Sequence, residues 1–373
     1  MQRHLHIVSF DIPYPANYGG VIDVFHKIRC LHQRGILITL HCFEYGERKP
    51  APELEKYCNK VYYYERQTSL LNQFSTLPYN VASRIDPRLK ERLMEDEYPI
   101  LFEVLHTCYL LHDPDLKTRR KFFRHSNIEH EYFRELAKAE SSFLKKMYLA
   151  MEARKLQRFE KQITHAEGIL AVSEQDLAYF QKTYPQTPSV YLPSFHPFDE
   201  LQCKPGKGDY ILYHGNLSVP ENHVAALWLT DHVFSRLRHR VVIAGLNPQP
   251  SLIARLKAYG HIELRENCSG EEMQQLISDA QVHCLYTAQA TGLKLKLLNV
   301  LYSGRFVLAN TAMLAGTSLR EACELCNSPQ EYIRAIEAAF TKELSAELIE
   351  KRKAILAPMN NGPKTDLLIQ LIN

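Results

Sequence analysis

Short apolar runs alternating with longer amphipathic stretches predict an α/β chain of two Rossmann-like, doubly wound domains with a cleft between them. Three observations carry that reading. The alternation runs twice, on either side of an irregular segment rich in Pro, Gly and charge, "PSFHPFDELQCKPGKGD". The length of 373 residues suits two ordinary domains better than one. The composition, 45% hydrophobic and 23% charged, is that of a globular chain and not of a disordered one.

The elements follow in order. "LHIVSF" (5–10) reads as the first strand, and "YGGVIDVFHKIRCLHQRG" (18–35) as an amphipathic helix opened by Gly19-Gly20 and closed by Gly35. Further strands are expected at "ILITLHCF" (36–43) and "KVYYYER" (60–66), and a buried strand with its loop at "PILFEVLHTCYLL" (99–111). "RKFFRHSNIEHEYF" (120–133) leads a strand into a polar turn. A helical pattern from Glu131 to about Ala166 is broken at "ESS" (140–142), with Phe143, Met147, Met151 and Phe159 near one face. "GILAVS" (168–173) and "SVYLP" (189–193) complete a first domain of residues 1–195, and 196–209 is the linker.

The second series opens with "YILYHGN" (210–216) and a helix over 221–236, then "RVVIAG" (240–245), a helix over 250–259, and "IELREN" (262–267). A helix over 270–280 precedes the strand "VHCLYT" (282–287), and "FVLAN" (306–310) follows the helical stretch between them. Helices are expected at 318–324 and 329–355, so the second domain spans 210–355. The last segment, 356–373, carries a short helix and would cross back to the first domain.

Composition excludes several functions. A formal net charge of +3 gives no basis for a nucleic-acid partner. The nine cysteines are scattered without framework spacing, which suits reduced thiols and a cytoplasmic chain. Cys323 and Cys326 form a lone CxxC with no second ligand pair, so no metal is expected. "HLHIVSF" near the start is a strand and lacks the apolar region of a signal peptide, and no window reaches the ~20 apolar residues of a membrane span.

The stretch "TGLKLKLLNVLYSGRFVLAN" (291–310) carries the sharpest chemical signal. Its helix starts near Gly292 with Thr291 as N-cap, leaving free N–H groups at a strand-end cleft. Such a terminus favours an anion, and Lys294 in the first turn can reach the same anion. Lys296 lies about 200° further round the helix and is expected to face solvent or a structural pair. Both lysines snorkelling from an ordinary packed helix is the alternative.

This stretch resembles the C-terminal signature of the two-domain family-4 glycosyltransferases, which have the GT-B fold. The family's two glutamates fall on Thr291 and Asn299, so the acidic pair is replaced by residues that can only hydrogen-bond hydroxyls. The loop "FDIPYPANYGG" (10–20) is similar to the family's N-terminal Gly-Gly loop, and "LAVSEQD" (170–176) to its strand closing the first domain. "YHGNLSVPEN" (213–222) falls where many members grip the diphosphate with an Arg and a Lys, here Asn216 and no lysine. The resemblance implies a glycosyltransferase using a nucleotide-diphosphate sugar, retaining and metal-independent, without a further cofactor. Its donor and phosphate contacts would be Gly19, Gly20, His214, Gly215, Asn216, Thr291, Gly292, Lys294 and Asn299, with Arg305 as a helper.

On the acceptor side, His106 at the end of the strand holding Glu103 is the candidate catalytic His, paired with Lys294 on the phosphates. Glu103, His125, Asn127, Glu129 and His130 are the candidate acceptor contacts, with a helix-capping network as the alternative for the last four. The acceptor would be a glycan or a lipid-linked saccharide. The basic helix after Glu131 reads as a solvated face, because Glu135, Glu140, Glu152 and Glu160 dilute its charge; contact with the inner face of a membrane is the alternative. Two other functions share the architecture: a catalytically silent nucleotide- or sugar-binding protein, which the lost glutamates favour, and a sugar-nucleotide epimerase, which they disfavour.

Overall fold

The structure, a computed structural model, describes residues 3–140, 142–288 and 295–373. The chain divides into two compact units. Unit 1 is Met1–Pro197 together with Asn361–Asn373, and unit 2 is Phe198–Asn360.

Among the described residues, unit 1 holds β1 (His4–Ser9), β2 (Leu37–Glu44), β3 (Lys60–Glu65), β4 (Ile100–Glu103), β5 (Lys121–Arg124), β6 (Gly168–Ala171) and β7 (Ser189–Tyr191). They form one parallel sheet in the order β3-β2-β1-β4-β5-β6-β7. Register fixes Ile7 beside both Leu40 and Leu101. Side chains alternate across the sheet: Leu5 and Ile7 enter one core, and Val8 enters the other with Phe43 and Phe102. Both faces are therefore covered, as a parallel sheet requires. The first core is closed by the helix Gly19–Gln33, through Val24, Ile28 and Leu31, and by Leu368, Ile369 and Ile372 of the helix Asn361–Ile372. Each such side chain contributes about 1.5–3 kcal/mol.

Unit 2 holds β8 (Tyr210–Asn216), β9 (Arg240–Leu246), β10 (Ile262–Glu266), β11 (Val282–Leu285), β12 (Phe306–Ala309) and β13 (Glu324–Leu325), ordered β10-β9-β8-β11-β12-β13. In both sheets the order reverses beside the first strand, at β1/β4 and at β8/β11. Ligands of such sheets bind outside the carboxyl ends at that reversal.

Three elements differ from expectation. Residues 318–324 form a single 3₁₀ turn, Arg320–Ala322, and the two-residue strand β13 in place of a helix. The 329–355 helix is two helices: Pro329–Phe340 ends at its C-cap Thr341, and Ser345 starts Ala346–Leu356 by accepting from the Leu348 N–H. The apolar stripe on the helix Phe143–Glu160 is split, with Phe159 buried while Phe143, Leu144, Met147 and Met151 are exposed.

Several histidines are packed as neutral rings. His41, His125 and His283 have at most 1% exposure. Burial pulls all three below the ordinary histidine value, His125 to about 3 with Arg124 adding to the effect. A histidine depressed on folding contributes stability that is complete above its unfolded pKa of about 6.5 and is lost as pH falls below it. The urea-unfolding free energy should therefore fall between pH 7 and pH 5, with a slope that approaches about 1.4 kcal/mol per pH unit for each such residue only well below pH 6.5. His125→Leu should flatten the slope by one residue's share; an unchanged slope would contradict the burial argument.

Candidate functional site

In unit 2 the carboxyl end of β8 carries His214, Gly215 and Asn216, and the asparagine of the following turn organises them. Asn222 Nδ2 donates to the Asn216 carbonyl at 3.0 Å, its Oδ1 accepts from Lys296 Nζ at 2.9 Å, and its carbonyl accepts from the Tyr213 hydroxyl at 2.9 Å. A Cβ on residue 215 would lie 3.1 Å from the Asn222 amide carbon, so glycine makes room for this amide. Asn216 Oδ1 accepts from the Ser218 N–H and hydroxyl, which closes the turn. His214 is buried and its Nδ1 has no partner. Burial first, and Lys296 second, hold its pKa down at about 3, so it is a neutral ring beside a cation.

The neighbouring strand ends are tied in. Glu221 Oε1 accepts from the Thr287 hydroxyl, and Asn310 Nδ2 donates to the Thr287 carbonyl at 2.7 Å. Asn310 Oδ1 also takes the Thr287 and Met313 N–H groups, so it caps the turn after β12. Asn299, on the helix Leu295–Ser303, has a buried Oδ1 without a partner. Thr291, Gly292 and Lys294 lie outside the described residues. Lys296 is the residue that sequence reasoning left out of the site. It stands one helical turn before Asn299, and that i,i+3 spacing was the signal that could have found it. Arg305 does not join them. It stands just before the amino end of β12, and its Nη1 donates to the carbonyls of Ser278 and Ala280, which precede β11, away from the carboxyl ends.

In unit 1 the corresponding end gathers a different set. Val104, directly after β4, has φ 60° and ψ 160°, a conformation that a β-branched residue avoids. It turns the chain into the 3₁₀ segment Leu105–Leu110, which presents His106. His106 Nε2 lies 3.3 Å from Glu129 Oε2 and 3.4 Å from Asn80 Nδ2. His106 and Glu129 are thus brought together, and Asn127 lies partly exposed in the turn before Glu129.

The other acceptor candidates belong to the interior. Glu103 is buried and takes Lys27 Nζ at 2.6 Å; Lys27 also meets Asp23 at 3.3 Å. His130 lies 3.2 Å from Glu160, whose Oε1 also accepts from the hydroxyls of Tyr179 and Tyr184. His125 packs edge-on against Phe180 at 4.9 Å; neither ring nitrogen makes a hydrogen bond, and Nε2 lies 4.0 Å from Asp176 Oδ2. None of the three offers a polar atom to a ligand outside the protein. Gly20 has a packing reason, since a Cβ there would lie 2.6 Å from the Phe10 ring; Gly19 is exposed at the start of its helix.

No family model matches the chain. An uncharacterized 44.6 kDa protein in the cps region of Klebsiella pneumoniae is 27% identical over 352 residues, 88% of this chain and 88% of its own. The fold is that of solved two-domain GT-B structures. A mutant of Staphylococcus aureus TarM, in complex with fondaparinux, alpha-GlcNAc-glycerol and UDP, matches with a TM-score of 0.69 at 9% identity over 100% of both chains. The α,α-trehalose-phosphate synthase (UDP-forming) of Burkholderia vietnamiensis matches with a TM-score of 0.61 at 10% identity over 99% of both chains. The chain is thus a GT-B-fold protein.

The interior placement of Glu103 has a measurable consequence. Glu103→Leu leaves Lys27 short of a counter-charge and should lower the unfolding free energy by about 3–5 kcal/mol. Urea denaturation checks this. A variant as stable as the parent would return Glu103 to the list of free carboxylates.

Proposed function

We propose that this GT-B chain transfers a sugar from a nucleotide-diphosphate sugar to a glycan or lipid-linked saccharide acceptor, with retention at the anomeric carbon and without a metal. The observation that carries the reading is the carboxyl end of β8, where Lys296 is held by Asn222 beside the unpartnered Nδ1 of neutral His214. That is a cation and a polar ring atom at the reversal point of a doubly wound sheet, the position where such folds take phosphates. A fixed cation there would stabilise the charge on the departing nucleoside diphosphate. Lys294 keeps its assignment to the same diphosphate. In unit 1, His106 against Glu129 would face the acceptor hydroxyl. The relative from a cps region supports a polysaccharide product.

A silent nucleotide- or sugar-binding protein is the second reading, and Asn299 favours it. An amide stands where the resemblance calls for a carboxylate, and its oxygen has no partner. The two readings share ligand binding and differ in turnover. UDP or GDP should raise the melting temperature, by the equivalent of about 2.7 kcal/mol at 100 times Kd. Lys296→Ala should weaken that binding at least tenfold, and Lys294→Ala should cut turnover by roughly 10²-fold. No shift with any nucleoside diphosphate at millimolar concentration would end both readings. Binding without transfer or donor hydrolysis would select the silent one. Product anomer analysis and an assay in EDTA check retention and metal independence.

Contact with a membrane surface is part of the proposal. Among the described residues, no helix is long and apolar enough to cross a membrane. The helix Phe143–Glu160 nonetheless exposes Phe143 (72%), Leu144 (75%) and Met147 (57%) around Lys145 and Lys146. Two of its glutamates turn inward, Glu152 to Lys155 and the Tyr79 N–H, and Glu160 to His130, so they no longer dilute the basic face. Each lysine near an anionic lipid surface contributes about 1 kcal/mol. The protein should co-sediment with vesicles containing phosphatidylserine and not with neutral ones. Phe143→Glu with Met147→Glu should abolish this; retention of binding by the double variant would refute the contact.

A further inference from the structure

In unit 1, Arg66 and Arg84 share one asparagine and donate only to neutral partners. Arg66 Nε donates to Ser83 Oγ at 2.9 Å and its Nη2 to Asn80 Oδ1 at 2.8 Å. Arg84 Nε donates to the Phe10 carbonyl at 3.0 Å and its Nη1 to the Asn80 carbonyl at 2.7 Å. Asn80 thus bridges the two cations, and its Nδ2 faces His106 at 3.4 Å.

The carboxylates around them are each taken. Asp11 accepts from the Tyr18 hydroxyl at 2.6 Å and lies 3.5 Å from Arg48. Glu152 pairs with Lys155 at 2.9 Å, and Glu129 stands 3.3 Å from His106. Among the described residues, neither Arg66 nor Arg84 has an acid within ion-pair distance. Arg84 is only 4% exposed. Burial, and then the charge of Arg66, pull its guanidinium below the ordinary arginine value. The charge of Asp11, which is shared with Tyr18 and Arg48, offsets part of this; a buried cation with no acid in direct contact is costly unless an anion supplies the rest.

The surroundings suit a saccharide. The Arg66 guanidinium lies 4.5 Å from the Tyr45 ring centroid and 5.4 Å from that of Tyr79. Tyr45 also lines a cavity of about 630 Å³ with Asp11, Tyr18 and Arg48, which adjoins the pair through Tyr45 and is lined by neither Arg66 nor Arg84. Aromatic walls with a few convergent polar groups are the make-up of a small-molecule site.

We propose that Arg66 and Arg84 form a subsite for an oxyanion carried by the acceptor saccharide, either the carboxylate of a uronic acid or a phosphate ester. The planar fork of arginine matches both. This rests on the acceptor half of the proposed function and gives that acceptor a charge.

The test uses the full chain saturated with UDP, so that the donor-side phosphate position is filled. Glucuronate and glycerol 3-phosphate are titrated by calorimetry, with glucose and matched KCl as controls. At least one anion should bind saturably while glucose does not, and the stronger of the two identifies carboxylate or phosphate as the group recognised. Arg66→Gln should weaken that binding at least tenfold. Should Arg66→Gln fail to fold, Arg66→Lys keeps the charge, loses the fork, and should still weaken binding severalfold. Binding of neither anion above the KCl control overturns the subsite, and so does undiminished affinity in a folded Arg66 variant. Arg66-dependent anion binding in a protein that takes no UDP would leave the subsite standing and remove the donor assignment instead.

Discussion

A carboxylate buried away from water must be surrounded by donors, and Asp23 is. Arg124 of β5 lies 3.1 Å away, Lys27 reaches it from one turn further along the same helix, and the Phe195 N–H donates at 2.6 Å. Burial pushes this carboxyl up, but Arg124 and Lys27 outweigh it and hold the pKa at about 2. Glu103 neutralises the other side of Lys27, and Arg124 donates to the Leu192 carbonyl. One charge cluster therefore joins the first helix, the ends of β4 and β5, and the segment leaving β7. Replacing it by apolar residues of similar volume need not cost stability, but removing one member leaves the others uncompensated. It fixes where β4 stops, and so where Val104 turns the chain and where His106 emerges.

Unit 2 solves the same positioning problem with amides instead of charges. Asn222 and Asn310 each bridge two or more segments, and each uses its carbonyl oxygen and its NH₂ together. Beside these amides stand two charged groups, Lys296 on Asn222 and Glu221 on Thr287. The two strand-end sites thus differ in kind. One is built mainly on asparagine amides that hold a lysine; the other is a polar pocket beside a saturated ion network.

Much of this architecture was legible in the sequence. The two series of strands and helices have periods of 2 and 3.6 that a reader can count, and the helix start at "NYGG" announces itself by glycine. Site chemistry was less legible, for physical reasons. Glu103, His125 and His130 look like ligands because their residue types are reactive, yet pairing across the sheet and helix layers, which one sequence does not display, consumes or buries them. Lys296 was set aside by helix geometry alone, although a side chain of its length finds its partner in the first turn of the helix Pro220–His232, 74 residues away in sequence. Asn80 and Arg84 escaped notice altogether, because the helix Tyr79–Ala82 is a single turn with no period to detect.

The discontinuity of unit 1 has a consequence for how the molecule is made. Its helix Asn361–Ile372 supplies Leu368, Ile369 and Ile372 to the first core, and Asn361 exchanges hydrogen bonds with the His196 backbone in both directions. Lys364 adds a donor to the Ser194 carbonyl at 2.7 Å, beside the Asp23 cluster. All of unit 2 is translated between Pro197 and this helix. The ribosome therefore releases a first sheet whose apolar flank stays open while the second sheet is being written. Unit 2, continuous in sequence, can close on its own as it emerges, whereas unit 1 must wait for its final staple. During that interval its leucines and isoleucines are the kind of transiently exposed apolar surface that aggregates, and docking of residues 361–373 is the step that covers it.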